Sequence, residues 1–109
     1  MNSICKDSFS DLREIISGDD GVIAFTGGIG TRVLDAIELL KKDGIEPKLI
    51  SVPVLSDNSI LSLLNICQNK VLLTVEEHLL KGGFGSMVLE IAAEQGSDCK
   101  ISRIGLDPE

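Results

Sequence analysis

The stretch TVEEHLLKGGFGS, residues 74–86, joins the end of a buried strand, an acidic turn and a glycine-rich bend. Residues 71–73 lead into it as an apolar run too short for a helix, which is typical of a central strand. Met87, Val88 and Ile91 follow the bend at helical spacing. In an open α/β sheet, ligands and partners bind where strands end and helices begin. We therefore expect the function of the chain at this edge.

The same order of strand, bend and helix occurs earlier in the chain. Residues 22–26 (VIAFT) are continuously apolar and predict a central strand that is covered on both faces. A glycine-rich bend at 27–30 follows at once, and a helix then begins. The apolar stripe predicted for this helix consists of Val33, Ala36, Ile37 and Leu40. Gly44 is expected to end it.

The remaining elements complete an alternation of strands and helices. Residues 47–53 predict a second strand, and Asp57 is expected to cap a helix over 58–67. A further helix is predicted over 86–95, closed by Gly96, before a weaker strand over 100–104. This alternation predicts right-handed crossovers and a parallel sheet. Residues 11–17 (DLREIIS) fit either a short helix or a strand, and residues 1–10 are expected to be a loose segment before a single domain over 11–109.

Composition limits the classes of partner. The 109 residues carry a net charge of −7, which opposes binding to nucleic acid and to anionic membranes. There is no Trp or Tyr, so no large aromatic platform for stacking bases exists. No run reaches the length of a membrane span, and the first residues lack the pattern of a secretion signal. We expect a soluble, cytoplasmic protein.

The three cysteines and the single histidine do not form a recognisable metal site. Cys5, Cys67 and Cys99 are far apart in the sequence, and no CxxC pair is present. One histidine cannot complete a usual zinc site with them. We therefore predict no metal site and reduced, mostly buried thiols.

The first glycine-rich bend is a candidate anion site. Glycines allow backbone N–H groups to approach an anion, and the start of a helix adds partial positive charge. The candidate residues are Thr26, Gly27, Gly28, Gly30 and Arg32. The pattern lacks the complete order of a dinucleotide-binding loop and the lysine of a P-loop. The alternative is a tight turn that serves packing alone.

The acidic turn after the third central strand holds the densest group of titratable side chains. Glu76, Glu77 and His78 could support acid–base chemistry, since adjacent carboxylates perturb each other and histidine titrates near neutrality. No nucleophile accompanies them in a known motif, and the two glutamates would face opposite ways if the strand continued. The alternative is that one acid caps or bridges to a neighbour while His78 forms a hydrogen bond in a loop or interface.

The second glycine-rich bend allows two interpretations. Gly82, Gly83 and Gly85 could bind an anion through their amides, or could let the following helix, with Ser86 in its first turn, lie close to another subunit. The residues alone support only an α/β domain with a functional edge. A stand-alone small-molecule or anion-binding module that uses both bends is therefore one open hypothesis.

The segment TVEEHLLKGGFGSMVLEIAAEQG resembles the C-terminal domain of the transketolase-like thiamine diphosphate enzymes. VIAFTGGIGTRVLDAIELLKKDGIEPKLISV and SRIGLDPE are similar to further segments of that family. The resemblance implies a three-layer α/β/α sandwich with five strands, the first antiparallel to the others, which would make DLREIIS an edge strand.

The resemblance also implies where the chemistry takes place. In the family, the catalytic and cofactor-binding residues lie in other domains, so none is assigned to this chain. It implies a non-catalytic domain or small subunit that assembles with thiamine diphosphate-binding domains in a homo- or hetero-oligomer and possibly holds a regulatory ligand. Thiamine diphosphate and Mg²⁺ would belong to the parent enzyme or partner.

Overall fold

The computed structural model describes residues 12–27, 30–77 and 83–106. Within these ranges the chain forms a five-stranded sheet and three helices. The strands are β1 (Arg13–Ile16), β2 (Val22–Phe25), β3 (Lys48–Ser51), β4 (Val71–Glu77) and β5 (Lys100–Leu106). The helices are α1 (Gly30–Lys42), α2 (Asp57–Ile66) and α3 (Phe84–Gln95).

The sheet has the order β1-β3-β2-β4-β5, and only β1 runs antiparallel to its neighbour. The expectation that DLREIIS forms an antiparallel edge strand is confirmed. Its pairing with β3 contains an irregularity between Glu14 and Ile16, and the intervening Ile15 is 48% exposed. An edge strand has one neighbour, which explains why the local pattern of burial was too weak to identify it from sequence.

Two apolar cores cover the two faces of the sheet, which gives the three-layer sandwich. Val22 and Ala24 of β2 face the core formed with α2 and α3. Ile23 and Phe25 face the core formed with α1. All four are buried, so the prediction of a central strand covered on both faces is confirmed.

Several boundaries differ from those predicted. Ser56, rather than Asp57, is the N-cap of α2, because its hydroxyl accepts a hydrogen bond from the Ser59 amide at 3.1 Å. In α1, Val33 and Ile37 are buried and Leu40 is partly buried, but Ala36 is exposed, so the predicted stripe was one residue too wide. The third helix begins two residues before the predicted Ser86, and β4 and β5 each extend two residues further than predicted.

The predicted helix ends are confirmed at two glycines. Gly96 is the C-cap of α3 with φ of 64°, and Gly44 follows α1 with φ of 80°. Glycine adopts this left-handed conformation without the steric cost of a Cβ atom. In the part of the chain that the structure describes, no helix is long and apolar enough to cross a membrane.

Candidate interface at the carboxyl edge of the sheet

The two strand-to-helix bends lie next to each other, because β2 and β4 are neighbours with Phe25 paired to Val75. Beyond this pair, the Thr26 amide donates a hydrogen bond to the Val75 carbonyl oxygen at 3.3 Å. Thr26 is itself buried. The prediction that both bends share one edge of the sheet is therefore confirmed.

Glu76 caps the start of α3. Its Oε1 accepts a hydrogen bond from the Phe84 amide and its Oε2 accepts one from the Gly85 amide, both at 2.9 Å. The residue is only 8% exposed. The N-cap position is occupied by Gly83, which has no side chain to cap the helix. Glu76 therefore supplies from the adjacent strand the acceptor that an N-cap side chain usually provides.

This contact decides between the two interpretations of Glu76. A carboxylate at the N-terminus of a helix is stabilised by the N–H groups and by the helix dipole. The same groups would be needed by an external anion, so the amides of Phe84 and Gly85 are already satisfied by the protein itself. The capping role predicted as the alternative is the one that the geometry shows for Glu76.

Gly85 is required by its surroundings. A Cβ atom at this position would lie 2.8 Å from Glu76 Oε2 and 2.5 Å from Arg103 Cδ. The Arg103 guanidinium donates a hydrogen bond to the Ser86 hydroxyl at 3.1 Å. The glycine thus lets α3 approach both the capping carboxylate and β5. Sequence reasoning missed Arg103, since nothing in the local pattern of β5 links it to a helix start 17 residues earlier.

The first bend has structural reasons for two of its glycines. Gly27 has φ of 80°, which favours glycine. A Cβ atom on Gly30 would lie 3.2 Å from the Phe25 ring. Arg32 is exposed on the first turn of α1. These observations support the tight-turn interpretation, and the anion-binding role of the bend stays a prediction.

Some predicted site residues cannot be placed. Gly28, His78 and Gly82 lie outside the described residues. Glu77 ends β4, so the strand continues through both glutamates as the prediction of opposite orientations required, but its side chain is also outside the described part. Among the residues described, no group of three or more His, Cys, Asp or Glu side chains could hold a metal ion.

A short apolar loop at the same edge escaped the sequence analysis. Pro53, Val54 and Leu55 connect the end of β3 to the N-cap of α2, and all three are exposed. Val54 is 48% exposed and Leu55 is 37% exposed. Loops at the surface usually carry polar residues, so three consecutive apolar residues here were an available signal of an interface.

Comparison with known proteins identifies the family of this fold. Residues 12–108 match the family described as "Transketolase, C-terminal domain". The chain belongs to this family. The match covers all the described strands and helices, and it confirms the resemblance found in the sequence.

Several relatives share this domain. The 1-deoxy-D-xylulose-5-phosphate synthase of Dehalococcoides mccartyi (strain CBDB1) is 36% identical over 95 residues, covering 84% of this chain and 15% of the relative. The synthase of Halothermothrix orenii is 39% identical over 94 residues, covering 80% and 14%. One subunit of the apulose-4-phosphate transketolase of Actinobacillus succinogenes is 35% identical over 75 residues, covering 68% and 24%. The transketolase C-terminal domain thus spans between about one seventh and one quarter of these relatives.

A solved structure has the same fold. The chain described as "Split gene transketolase, inactive beta4 tetramer" superposes with a TM-score of 0.74 at 24% identity, covering 89% of this chain and 32% of that one. The mixed sheet with an antiparallel first strand is therefore the architecture of the transketolase C-terminal domain.

Proposed function

We propose that this transketolase C-terminal domain acts without catalytic groups of its own, as a domain or small subunit that packs against thiamine diphosphate-binding domains. The observation that carries the proposal is the character of the carboxyl edge. Its helix N-terminus is occupied by Glu76, while Val54 and Leu55 are exposed on the same edge. An edge whose polar groups are satisfied and whose apolar groups are exposed suits protein contact better than anion binding.

The residues described do not fit thiamine diphosphate or Mg²⁺. A diphosphate would need free backbone amides or cations, and a magnesium ion would need carboxylates that converge. Glu76 occupies the amides at the start of α3, and the described part of the chain contains no cluster of metal-binding side chains. We therefore propose that the cofactor and its metal are held by the parent enzyme or partner. Calorimetry should show no tight binding of thiamine diphosphate with Mg²⁺ to this chain alone.

The assembly partner can be tested with the thiamine diphosphate-binding region of the parent enzyme, expressed separately. We expect the double variant Val54→Asp/Leu55→Asp to weaken association by roughly tenfold or more, which corresponds to about 1.4 kcal/mol. Leu39→Asp is the matched control, because Leu39 is 63% exposed near the opposite end of α1. Equal effects of the two changes, or no association of the unmodified chain, would contradict the proposal.

The wider setting of the domain is also part of the proposal. We infer a homo- or hetero-oligomeric enzyme, and the relative whose name makes it one subunit of a transketolase supports a role within an assembly. A cytoplasmic location agrees with the free thiols of Cys67 and Cys99, since reducing compartments keep thiols unpaired. Sedimentation of the assembled enzyme and fractionation of cells test these two points.

The residues of the two bends remain candidates for the interface or for a regulatory ligand. The candidates are Thr26, Gly27, Gly28, Gly30, Arg32, Glu76, Glu77, His78, Gly82, Gly83, Gly85 and Ser86. Amide chemical shifts recorded with and without the catalytic region would test them, because interface residues shift on binding and remote ones do not.

A further inference from the structure

Two cysteines that are far apart in the sequence meet at the opposite edge of the sheet. Cys67 is the C-cap of α2, and Cys99 directly precedes β5. The pairing of β4 with β5 brings them together, since the Lys100 amide donates a hydrogen bond to the Lys70 carbonyl oxygen at 3.1 Å. Cys67 is fully buried in the core beneath α2 and α3, and the partly buried Cys99 packs against that core.

The two thiols differ in access and in chemistry. The Cys67 thiol donates a hydrogen bond to the sulfur of Cys99. Burial raises the pKa of Cys67 from its ordinary 9.0 to about 12, and the nearby charges of Lys70 and Lys48 oppose this only weakly. Burial also raises the pKa of Cys99, but the hydrogen bond from Cys67 stabilises its thiolate and lowers the pKa. Cys99 is thus the thiol that ionises first and that a reagent can reach.

We propose that Cys99 and Cys67 form a reversible disulfide by exchange with a small disulfide, Cys99 reacting first and Cys67 resolving. The Cys99 thiolate attacks one sulfur of the reagent, which forms a mixed disulfide and releases one thiolate. Cys67 then loses its proton and attacks the Cys99 sulfur, which releases the second thiol of the reagent. The two cysteines lose two electrons and two protons, and the small disulfide is reduced to two thiols.

A polar pocket provides an approach to this pair. It has a volume of about 360 Å³ and lies between the ends of α2 and α3. Gln68 and Asp98, the sequence neighbours of the two cysteines, are both part of its wall. A small disulfide that enters this pocket would lie close to Cys99, on the side of the sheet away from the proposed subunit interface.

The bond would link the end of α2 to the start of β5. It would close a loop that contains β4 and α3, and so restrict the unfolded chain. Oxidation should therefore raise the melting temperature, by roughly 10 °C if the native geometry accommodates the bond without strain. Because Cys99 has a raised pKa, exchange should be slow near neutrality and accelerate by up to about tenfold for each pH unit toward about pH 9.

The experiment uses the full chain with Cys5→Ser, so that only the two cysteines of interest can react. The probe is hydroxyethyl disulfide, an uncharged reagent, at about pH 8.5 under native conditions. We expect a product that lacks two hydrogen atoms and carries no adduct, with a cross-link between the peptides that contain Cys67 and Cys99. Dithiothreitol should reverse it. Cys67→Ser in the same background should stop at the adduct on Cys99.

Two results would overturn the proposal. One is a stable mixed disulfide on Cys99 that never resolves while Cys67 is present. The other is reaction only at the rate of global unfolding, measured by hydrogen exchange of the same sample, which would mean that neither thiol is reached in the folded protein. Both measurements use the chain that retains both thiols, so they do not depend on whether Cys67→Ser folds.

Discussion

Replacing Glu76 by alanine should destabilise the domain by removing the cap of α3. The carboxylate accepts two buried hydrogen bonds of 2.9 Å, from Phe84 and Gly85. Bonds to a charged group contribute about 1.5–3 kcal/mol each, and the two amides would be left without these acceptors. The cost of burying the carboxylate offsets part of that gain. We expect a loss of about 3 kcal/mol in the free energy of unfolding.

Glu76→Gln should cost less, about 2 kcal/mol, because the amide side chain keeps one acceptor oxygen but presents an NH₂ group to the other backbone N–H. Glu90→Gln is the matched control. Glu90 lies in the middle of α3 and is exposed, so the same chemical change should alter stability by no more than about 0.5 kcal/mol.

Urea unfolding followed by far-ultraviolet circular dichroism measures these free energies. Hydrogen exchange of the Phe84 and Gly85 amides supplies a local readout, since both should lose protection in Glu76→Ala. If Glu76→Ala costs no more than the Glu90 control and the two amides stay protected, the carboxylate does not hold the start of α3 and the capping argument is refuted.

Three further changes test other contacts. Gly85→Ala places a methyl group 2.8 Å from Glu76 Oε2 and should cost about 1–3 kcal/mol in urea unfolding, with a smaller cost in the Glu76→Ala background. Gly18→Ala would overlap the Glu46 carbonyl oxygen, a backbone atom, and should cost about 3 kcal/mol by thermal unfolding. Burial raises the pKa of Cys67 to about 12, so the unfolded chain loses this proton first as pH rises. The unmodified chain should therefore lose stability above about pH 9, by up to about 1.4 kcal/mol per pH unit, a slope that Cys67→Ala lacks in urea unfolding at about pH 8 and pH 10.

The central elements of the fold could be predicted because their signals are local. The apolar run of β2 and the glycines that end α1 and α3 act through neighbours a few residues away. The direction of β1 could not be read from its own residues, since Glu14 and Ile15 are exposed on an edge strand and show no clear period. Resemblance to the family supplied that direction, and the pairing with β3 confirmed it.

The sequence by itself determined an α/β domain with two glycine-rich bends on one edge, because hydrophobic period and glycine position are properties of short segments. Only the tertiary structure decided which groups the edge uses. The partner of Glu76 lies eight residues away across a bend, and the meeting of Cys67 with Cys99 depends on how β4 pairs with β5. Such contacts follow from strand order and helix placement, which bring distant residues together without leaving a local pattern.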